Sequence, residues 1–292
     1  MVKVAAIQMQ MGEDKTANIV KAERMVREAF KNGAQIILLP ELFEGYYFCK
    51  DMDKKYFSWA QEREGHPMIA RFSALARELG VVLPVSYFER DGERYFNSLV
   101  MIDADGTVME NYRKTHIPDG PGYEEKFYFE PGDTGFKVWE TRYGNVGVGI
   151  CWDQWFPETA RSLTLMGADM IFYPTAIGSE PEIGVDSASH WQRVQMGHSA
   201  ANIIPVIAAN RIGEEVGESC TLTFYGSSFI TDHTGEKIAE ASRNKEEILY
   251  SDFDPVSIRE HRHYWGLIRD RQPECYGEII KNSENLYKNN IS

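Results

Sequence analysis

The sequence lacks the features that mark several large protein classes. Its four cysteines, Cys49, Cys151, Cys220 and Cys275, lie far apart with no CxxC pair. That spacing excludes a thiolate zinc site and a disulfide framework, and it predicts a reducing, cytosolic setting. No apolar run reaches membrane-spanning length, and the opening M-V-K-V-A-A-I-Q-M is too short and strand-like for a signal peptide. No membrane partner is expected. Positive charge is scarce, because 31 Lys and Arg against 44 Asp and Glu leave a formal net charge of −13. Such an acidic chain is a poor match for a nucleic-acid backbone and is compatible with a cationic small molecule. HExxH, GxGxxG and Walker patterns are all missing, and the seven histidines form no ligand cluster. Neither a metal nor a nucleotide cofactor is expected.

What is present is an ordinary globular balance, 43% apolar and 26% charged, over a length that suits a single α/β domain. Val2 to Met9 reads as a buried strand. Asp14 to Asn32 carries Ile19, Ala22, Val26, Ala29 and Phe30 at helical spacing, with Gly33 placed to close the helix. Gln35 to Leu39 is a continuous apolar strand ended by Pro40-Glu41. Pro67 to Leu79 predicts a second helix, stopped by Gly80. Val81 to Glu89 and Arg94 to Ile102 predict a hairpin, and Thr107 to Tyr112 a further strand.

The second half repeats the first. G-A-D-M-I-F-Y-P (167–174) matches G-A-Q-I-I-L-L-P (33–40) at glycine, alanine, isoleucine and proline, four identities in eight. Around it lie a strand (Val146 to Ile150), a helix (Pro157 to Met166), a strand (Met170 to Tyr173), a helix (Ser187 to Asn202) and a strand (Pro205 to Asn210). Two βαβαβ halves predict a pseudo-symmetric pair of sheets packed face to face, with helices outside. Tyr225 to Asp232, Lys237 to Ala241 and Ile248 to Phe253 read as later strands. A helix follows Asp254-Pro255, and about 255–292 forms a C-terminal extension whose polar tail, Lys281 to Ser292, reads as an arm or frayed end.

Chemistry concentrates beyond the carboxyl ends of the predicted strands. Glu41 stands there directly after L-L-P, and Cys151 at the end of the corresponding strand of the other half. In G-N-V-G-V-G-I-C-W-D-Q-W-F-P-E, a strand runs through a sharp turn into a helix begun by Pro157. A helix N-terminus aimed at Cys151 would favour thiolate over thiol. A lone cysteine in such a run is also compatible with a buried structural thiol. Beside a thiol, Glu41 can serve as general base; alone it fits a cap or a loop charge. Lys114 fits either a solvated charge or a fixed cation that stabilises an oxyanion. The loop from Pro118 to Gly132, carrying Glu124 and Glu125, reads as a wall of a site.

Taken together, L-P-E (39–41), R-K-T-H (113–116) and G-I-C-W-D-Q-W-F-P-E (149–158) resemble the three signature segments of the nitrilase, or carbon–nitrogen hydrolase, superfamily, in the right order along nearly the whole chain. The resemblance implies a four-layer α-β-β-α sandwich, no metal and no organic cofactor. It implies Glu41 as general base, Lys114 as oxyanion stabiliser and Cys151 as nucleophile, with the Trp152 N–H as a second oxyanion donor. A further glutamate in the loop after the lysine belongs to the family site, and the spacing within that resemblance favours Glu125 over Glu124. D-G-P-G-Y-E-E-K-F-Y-F-x-P-G-D-T-G-F (119–136) and Y-P-T-A-I-G-S-E-P (173–181) are similar to the branch that hydrolyses N-carbamoylputrescine in polyamine synthesis. Relatives acting on N-carbamoyl amino acids carry arginines shortly after the cysteine, where this chain has Gln154 and Trp155. Glu180, with Asp119 second, is then the expected partner of a substrate ammonium. A β-ureidopropionase-like or ω-amidase-like activity is the competing implication, and a non-catalytic assembly protein on the same fold a more distant one. Self-association into a homo-oligomer is implied as well.

Overall fold

The computed structural model describes residues 1–179, 184–218 and 220–281. Fourteen strands run through it: β1 (Val2–Gln10), β2 (Ile36–Leu38), β3 (Leu83–Asp91), β4 (Arg94–Ile102), β5 (Val108–Arg113), β6 (Lys137–Thr141), β7 (Gly144–Val148), β8 (Met170–Pro174), β9 (Val206–Ala209), β10 (Arg211–Val216), β11 (Thr221–Tyr225), β12 (Phe229–Thr231), β13 (Lys237–Glu240) and β14 (Glu247–Phe253). The α-helices are α1 (Lys15–Lys31), α2 (Pro67–Leu79), α3 (Glu125–Tyr128), α4 (Pro157–Leu165), α5 (Ala188–Asn202) and α6 (Pro255–Trp265). Their ends follow local chemistry. Asp14 caps α1 by accepting from the Thr16 and Ala17 N–H groups, and α2 begins on Pro67 and ends on a left-handed Gly80.

Two sheets share one plan. In the first, β14 pairs antiparallel with β1, β1 parallel with β2, and Ile36 bridges Val82 in parallel at the entry to β3. β4 and β5 follow antiparallel. In the second, β6 pairs antiparallel with β7, β7, β8 and β9 are parallel, and β12 and β13 follow antiparallel. The two orders match step for step, so β1 corresponds to β7 and β2 to β8. The repeated G-A-…-P segments occupy the same second parallel strand of each half.

Strand alternation sorts the apolar residues into three cores. Val4, Ala6, Ile36 and Leu38 face Val146, Val148, Met170 and Phe172 between the sheets. Ala5, Ile7, Met9, Ile37 and Leu39 face the other way, onto Ala22, Val26 and Ala29 of α1 and Phe72 of α2. Ile171, Tyr173 and Val206 pack against Ala160 and Leu163 of α4 and Trp191 of α5. Three cores between four layers give the α-β-β-α sandwich. No helix among the described residues is long and apolar enough to cross a membrane.

Two readings need correction, and one element carried no sequence expectation. Cys151 follows β7, the counterpart of β1, so the residue equivalent to Glu41 is Thr175 and not the cysteine. The single strand read over Tyr225 to Asp232 is two strands in different sheets, because Gly226 and Ser227 take left-handed conformations, φ 55° each, between them. The element without an expectation is the antiparallel pair β10 and β11, which joins β1 through Met9 and Gln10. The tail from residue 282 onward lies outside the described residues.

Candidate active site

Three connections deliver the site to one end of the sandwich. Glu41 follows β2, Lys114 follows β5, Glu125 opens α3, and Cys151 follows β7. Glu41, Lys114 and Glu125 are fully buried, and Cys151 nearly so. The Lys114 Nζ lies 2.9 Å from Glu41 Oε1 and 2.7 Å from Glu125 Oε2. Asn97 Nδ2 donates to the same Glu41 oxygen at 2.7 Å, and the Tyr47 hydroxyl donates to Glu125 Oε1 at 2.6 Å. Among the described residues, Glu41 Oε2 has no hydrogen-bond donor. One carboxylate oxygen is therefore fixed and the other is left to accept a proton.

The electrostatics follow from burying this set together. Burial opposes the charge on Lys114, yet Glu125 and Glu41 outweigh it and hold the ammonium well above its ordinary range. Burial, with the Glu41 charge behind it, pushes the Glu125 carboxyl up to about 7 despite Lys114 and the Tyr47 hydrogen bond. Burial also pushes the Cys151 thiol well up; Glu41 adds to this and Lys114 counteracts it. The thiolate expectation is thereby overturned. Cys151 opens a five-residue 3-10 turn, Cys151–Trp155, instead of facing the start of a long helix, and it rests as a thiol. Such a thiol needs a base.

Backbone strain marks the two reactive positions. Cys151 has φ 40°, and Leu42, directly after Glu41, has φ 46°. A left-handed Leu or Cys persists only where its surroundings over-determine it. Asp153 does this for the cysteine. Its carboxylate accepts from the Ile150 N–H at 2.8 Å, the Tyr112 hydroxyl at 2.7 Å and the His116 N–H at 3.0 Å, with His116 Nδ1 at 2.7 Å. The Cys151 thiol donates to the Ala176 carbonyl at 3.7 Å. No acceptor among the described residues meets the Trp152 N–H, which stands next to the sulfur in sequence. This N–H and the Lys114 ammonium are the two donors suited to an oxyanion formed at Cys151.

The outer residues are less tightly gathered. Trp152 is partly exposed and its ring lies 6.0 Å from that of Trp155, which contacts His190. The loop from Pro118 to Gly132 lies against the 175–179 segment: Tyr123 Oη accepts from the Gly178 N–H at 2.9 Å and donates to the Ser179 carbonyl at 3.3 Å. Asp119 is exposed, 3.9 Å from the Lys126 ammonium. Glu180 lies outside the described residues. Gln154 is fully buried and accepts from Thr175 Oγ1 at 2.9 Å, so of the pair after Trp152 only Trp155 reaches toward the surface. Glu124, the alternative to Glu125, is only half-buried and donates its N–H to the Cys49 carbonyl.

Sequence reasoning missed Tyr47, Asn97, Asp153 and Arg211. Asp153 had a usable signal in its place two residues after the cysteine. Asn97 lay inside a strand pattern, and Tyr47 in an aromatic run that read as core.

Comparison with known proteins agrees with this layout. The family described as carbon-nitrogen hydrolase matches residues 3–263. A citrullinase from Francisella tularensis is 54% identical over 281 residues, covering 96% of this chain and 98% of that protein. An N-carbamoylputrescine amidase from Solanum tuberosum is 54% identical over 285 residues, covering 96% and 95%. The crystal structure of a carbon-nitrogen hydrolase from Helicobacter pylori superimposes with a TM-score of 0.90 at 37% identity, covering 96% of this chain and 99% of that one. With its sandwich of two matched sheets and its three signature segments, this chain belongs to the carbon-nitrogen hydrolase family, as a hydrolase of carbon–nitrogen amide bonds.

Proposed function

We propose that the protein hydrolyses the terminal ureido group of N-carbamoylputrescine, releasing putrescine, ammonia and carbon dioxide. The observation that carries the substrate is identity of about half the residues, along almost the full length, to several proteins named N-carbamoylputrescine amidase. The buried cluster supplies the chemistry. Glu41 takes the proton of the Cys151 thiol as sulfur attacks the ureido carbon. Lys114 and the Trp152 N–H stabilise the oxyanion, and loss of one such donor typically costs about 3–4 kcal/mol of barrier. Glu41 returns the proton to the departing ammonia, leaving a thiocarbamate on Cys151. The same carboxylate then activates a water that cleaves the C–S bond and restores the thiol. The N-substituted carbamate so formed decomposes to amine and carbon dioxide. Glu125 keeps Lys114 in place and shares its charge.

A second reading rests on the citrullinase relative, which is equally similar. Citrulline carries the same ureido-alkyl group and adds a carboxylate at the amine end. The want of arginine at Gln154 and Trp155 supports the amine without that carboxylate, and Glu180 and Asp119 remain its proposed ammonium partners. Cytosolic location, a place in polyamine synthesis and self-association go with the reading as proposals. Mass spectrometry of enzyme mixed with N-carbamoylputrescine, and separately with citrulline, tests it. The expected result is an adduct on Cys151 and putrescine as the faster product; faster ornithine release from citrulline would overturn the substrate.

A further inference from the structure

The turn that presents Glu41 is anchored by residues far away in the sequence. The segment from Glu41 to Tyr47 lies outside any strand, and it contains the left-handed Leu42. Arg211, at the start of β10, is fully buried and spends its guanidinium on this segment. Its Nη2 donates to the Glu41 carbonyl at 2.8 Å and the Leu42 carbonyl at 3.2 Å. Its Nη1 donates to the Gly45 carbonyl at 3.3 Å and to Glu215 Oε1 at 2.9 Å. The second oxygen of Glu215 accepts from the Tyr47 N–H at 2.7 Å. A buried ion pair thus grips the turn at four points. Its two ends matter separately, since Glu41 accepts from Lys114 while Tyr47 donates to Glu125.

We infer that Arg211 and Glu215 are positioning residues, which hold the 41–47 turn so that the Glu41 carboxylate meets the Cys151 thiol and the Tyr47 hydroxyl meets Glu125. The inference rests on Glu41 acting as the base, as proposed above. A planar guanidinium reaches three carbonyls and a carboxylate at once, whereas an ammonium on a flexible stem does not. Charge alone therefore does not reproduce the device. Misplacing a reacting group by a fraction of its contact distance lowers turnover far more than binding.

Arg211→Lys tests this, because it keeps the charge opposite Glu215 and removes most of the grip. The readouts are kcat and KM, thermal stability, and the pH dependence of Cys151 alkylation by iodoacetamide, followed by peptide mass spectrometry. Alkylation needs no substrate, so a wrong substrate assignment leaves this arm readable. The expected result is a fall in kcat of about 30-fold or more with KM within about threefold. Alkylation near neutral pH should slow while the high-pH rate persists. Should Arg211→Lys fail to fold, Arg211→Met with Glu215→Gln strands no charge and is read in the same way. A folded variant with wild-type kcat and an unmoved alkylation profile would overturn the inference, even if its melting temperature fell. Glu215→Gln alone keeps an acceptor for the Tyr47 N–H, and it should give an intermediate kcat.

Discussion

The Lys114 ammonium is held by both oxygens of Glu125, at 2.7 and 2.9 Å, with a third contact to Glu41 at 2.9 Å. One cation thus separates two carboxylates that are all but sealed from water. Lys114→Met leaves those carboxylates facing each other without a counter-charge. Breaking a buried pair in this way typically costs about 3–5 kcal/mol, part of which a shared proton recovers. The expected outcome is loss of turnover by about a thousandfold together with a clear drop in denaturant midpoint. A variant that keeps wild-type kcat would remove Lys114 from the oxyanion site.

Glu125 should give the site a pH dependence. Its carboxyl is raised to about 7, so it gains a proton as pH falls through neutrality, and the protonated form is isosteric with glutamine. Activity should accordingly decline below about pH 7 toward a low plateau. Glu125→Gln should sit on that plateau throughout pH 6–8, with the limb gone. The folding consequence runs in the same window. The folded state binds this proton more tightly than the unfolded chain does, so the Glu125 contribution to stability falls as pH rises from the ordinary glutamate range to about 7. Kinetic profiles of the two proteins check the first claim, and thermal melts across pH 5–8 the second.

Glu41→Gln separates base catalysis from simple thiolate chemistry. The thiol is held well above its ordinary range, first by burial and then by the Glu41 charge. On the proposed mechanism, its reactivity near neutral pH depends on proton removal by Glu41. The variant should lose turnover and neutral-pH alkylation together, yet still be alkylated at high pH, where the thiolate forms unaided. If Glu41 acted only through its charge, removing it would instead speed alkylation near neutral pH.

Asp153→Asn tests how the nucleophile is held. The carboxylate accepts the Ile150 N–H, the Tyr112 hydroxyl and the His116 main chain, and an amide cannot accept on both sides. Cys151 would then be free to leave its left-handed conformation. Turnover should fall about tenfold to a hundredfold, with KM little changed. Covalent labelling of Cys151 by an activated amide, timed in stopped flow, should slow in parallel.

Much of this was legible because the reactive groups follow strong local patterns. L-L-P before Glu41 and G-V-G-I before Cys151 are apolar strand ends, and helix caps such as Asp14 and Gly80 carried plain signals. The pair β10–β11 was not legible. Its strand R-I-G-E-E-V hides Arg211 and Glu215 in the interior, where each neutralises the other, and such pairing leaves no hydrophobic alternation to detect. Lys137–Thr141 was passed over too, since in K-V-W-E-T only Trp139 and Thr141 are buried. The correspondence of Cys151 with Glu41 failed because a repeat in sequence shows which strands are alike, not which loop beyond them bears the chemistry. Thr175, the true counterpart of Glu41, supports Gln154 instead.

Gly132 supplies a last test, one that touches no reacting group. The chain passes so close to the end of β5 that a methyl group at this position would lie 2.0 Å from the Arg113 carbonyl oxygen and 2.8 Å from that of Lys114. Those distances are to backbone, which cannot rotate aside as a flexible side chain can. The Gly132 N–H donates to the Lys114 carbonyl at 2.8 Å, so the contact that demands glycine also fixes the lysine. Gly132→Ala must push the loop and the strand end apart. Overpacking of this kind costs about 3 kcal/mol when backbone must move. For a chain of this size that corresponds to a melting temperature lower by roughly 5–10 °C. Because Lys114 moves with the strand end, kcat should fall as well, whereas Gly197→Ala, on α5 with open space around it and no left-handed backbone, should leave kcat nearly unchanged. Equal kcat in the two variants would show that the lysine is placed by its carboxylate partners alone.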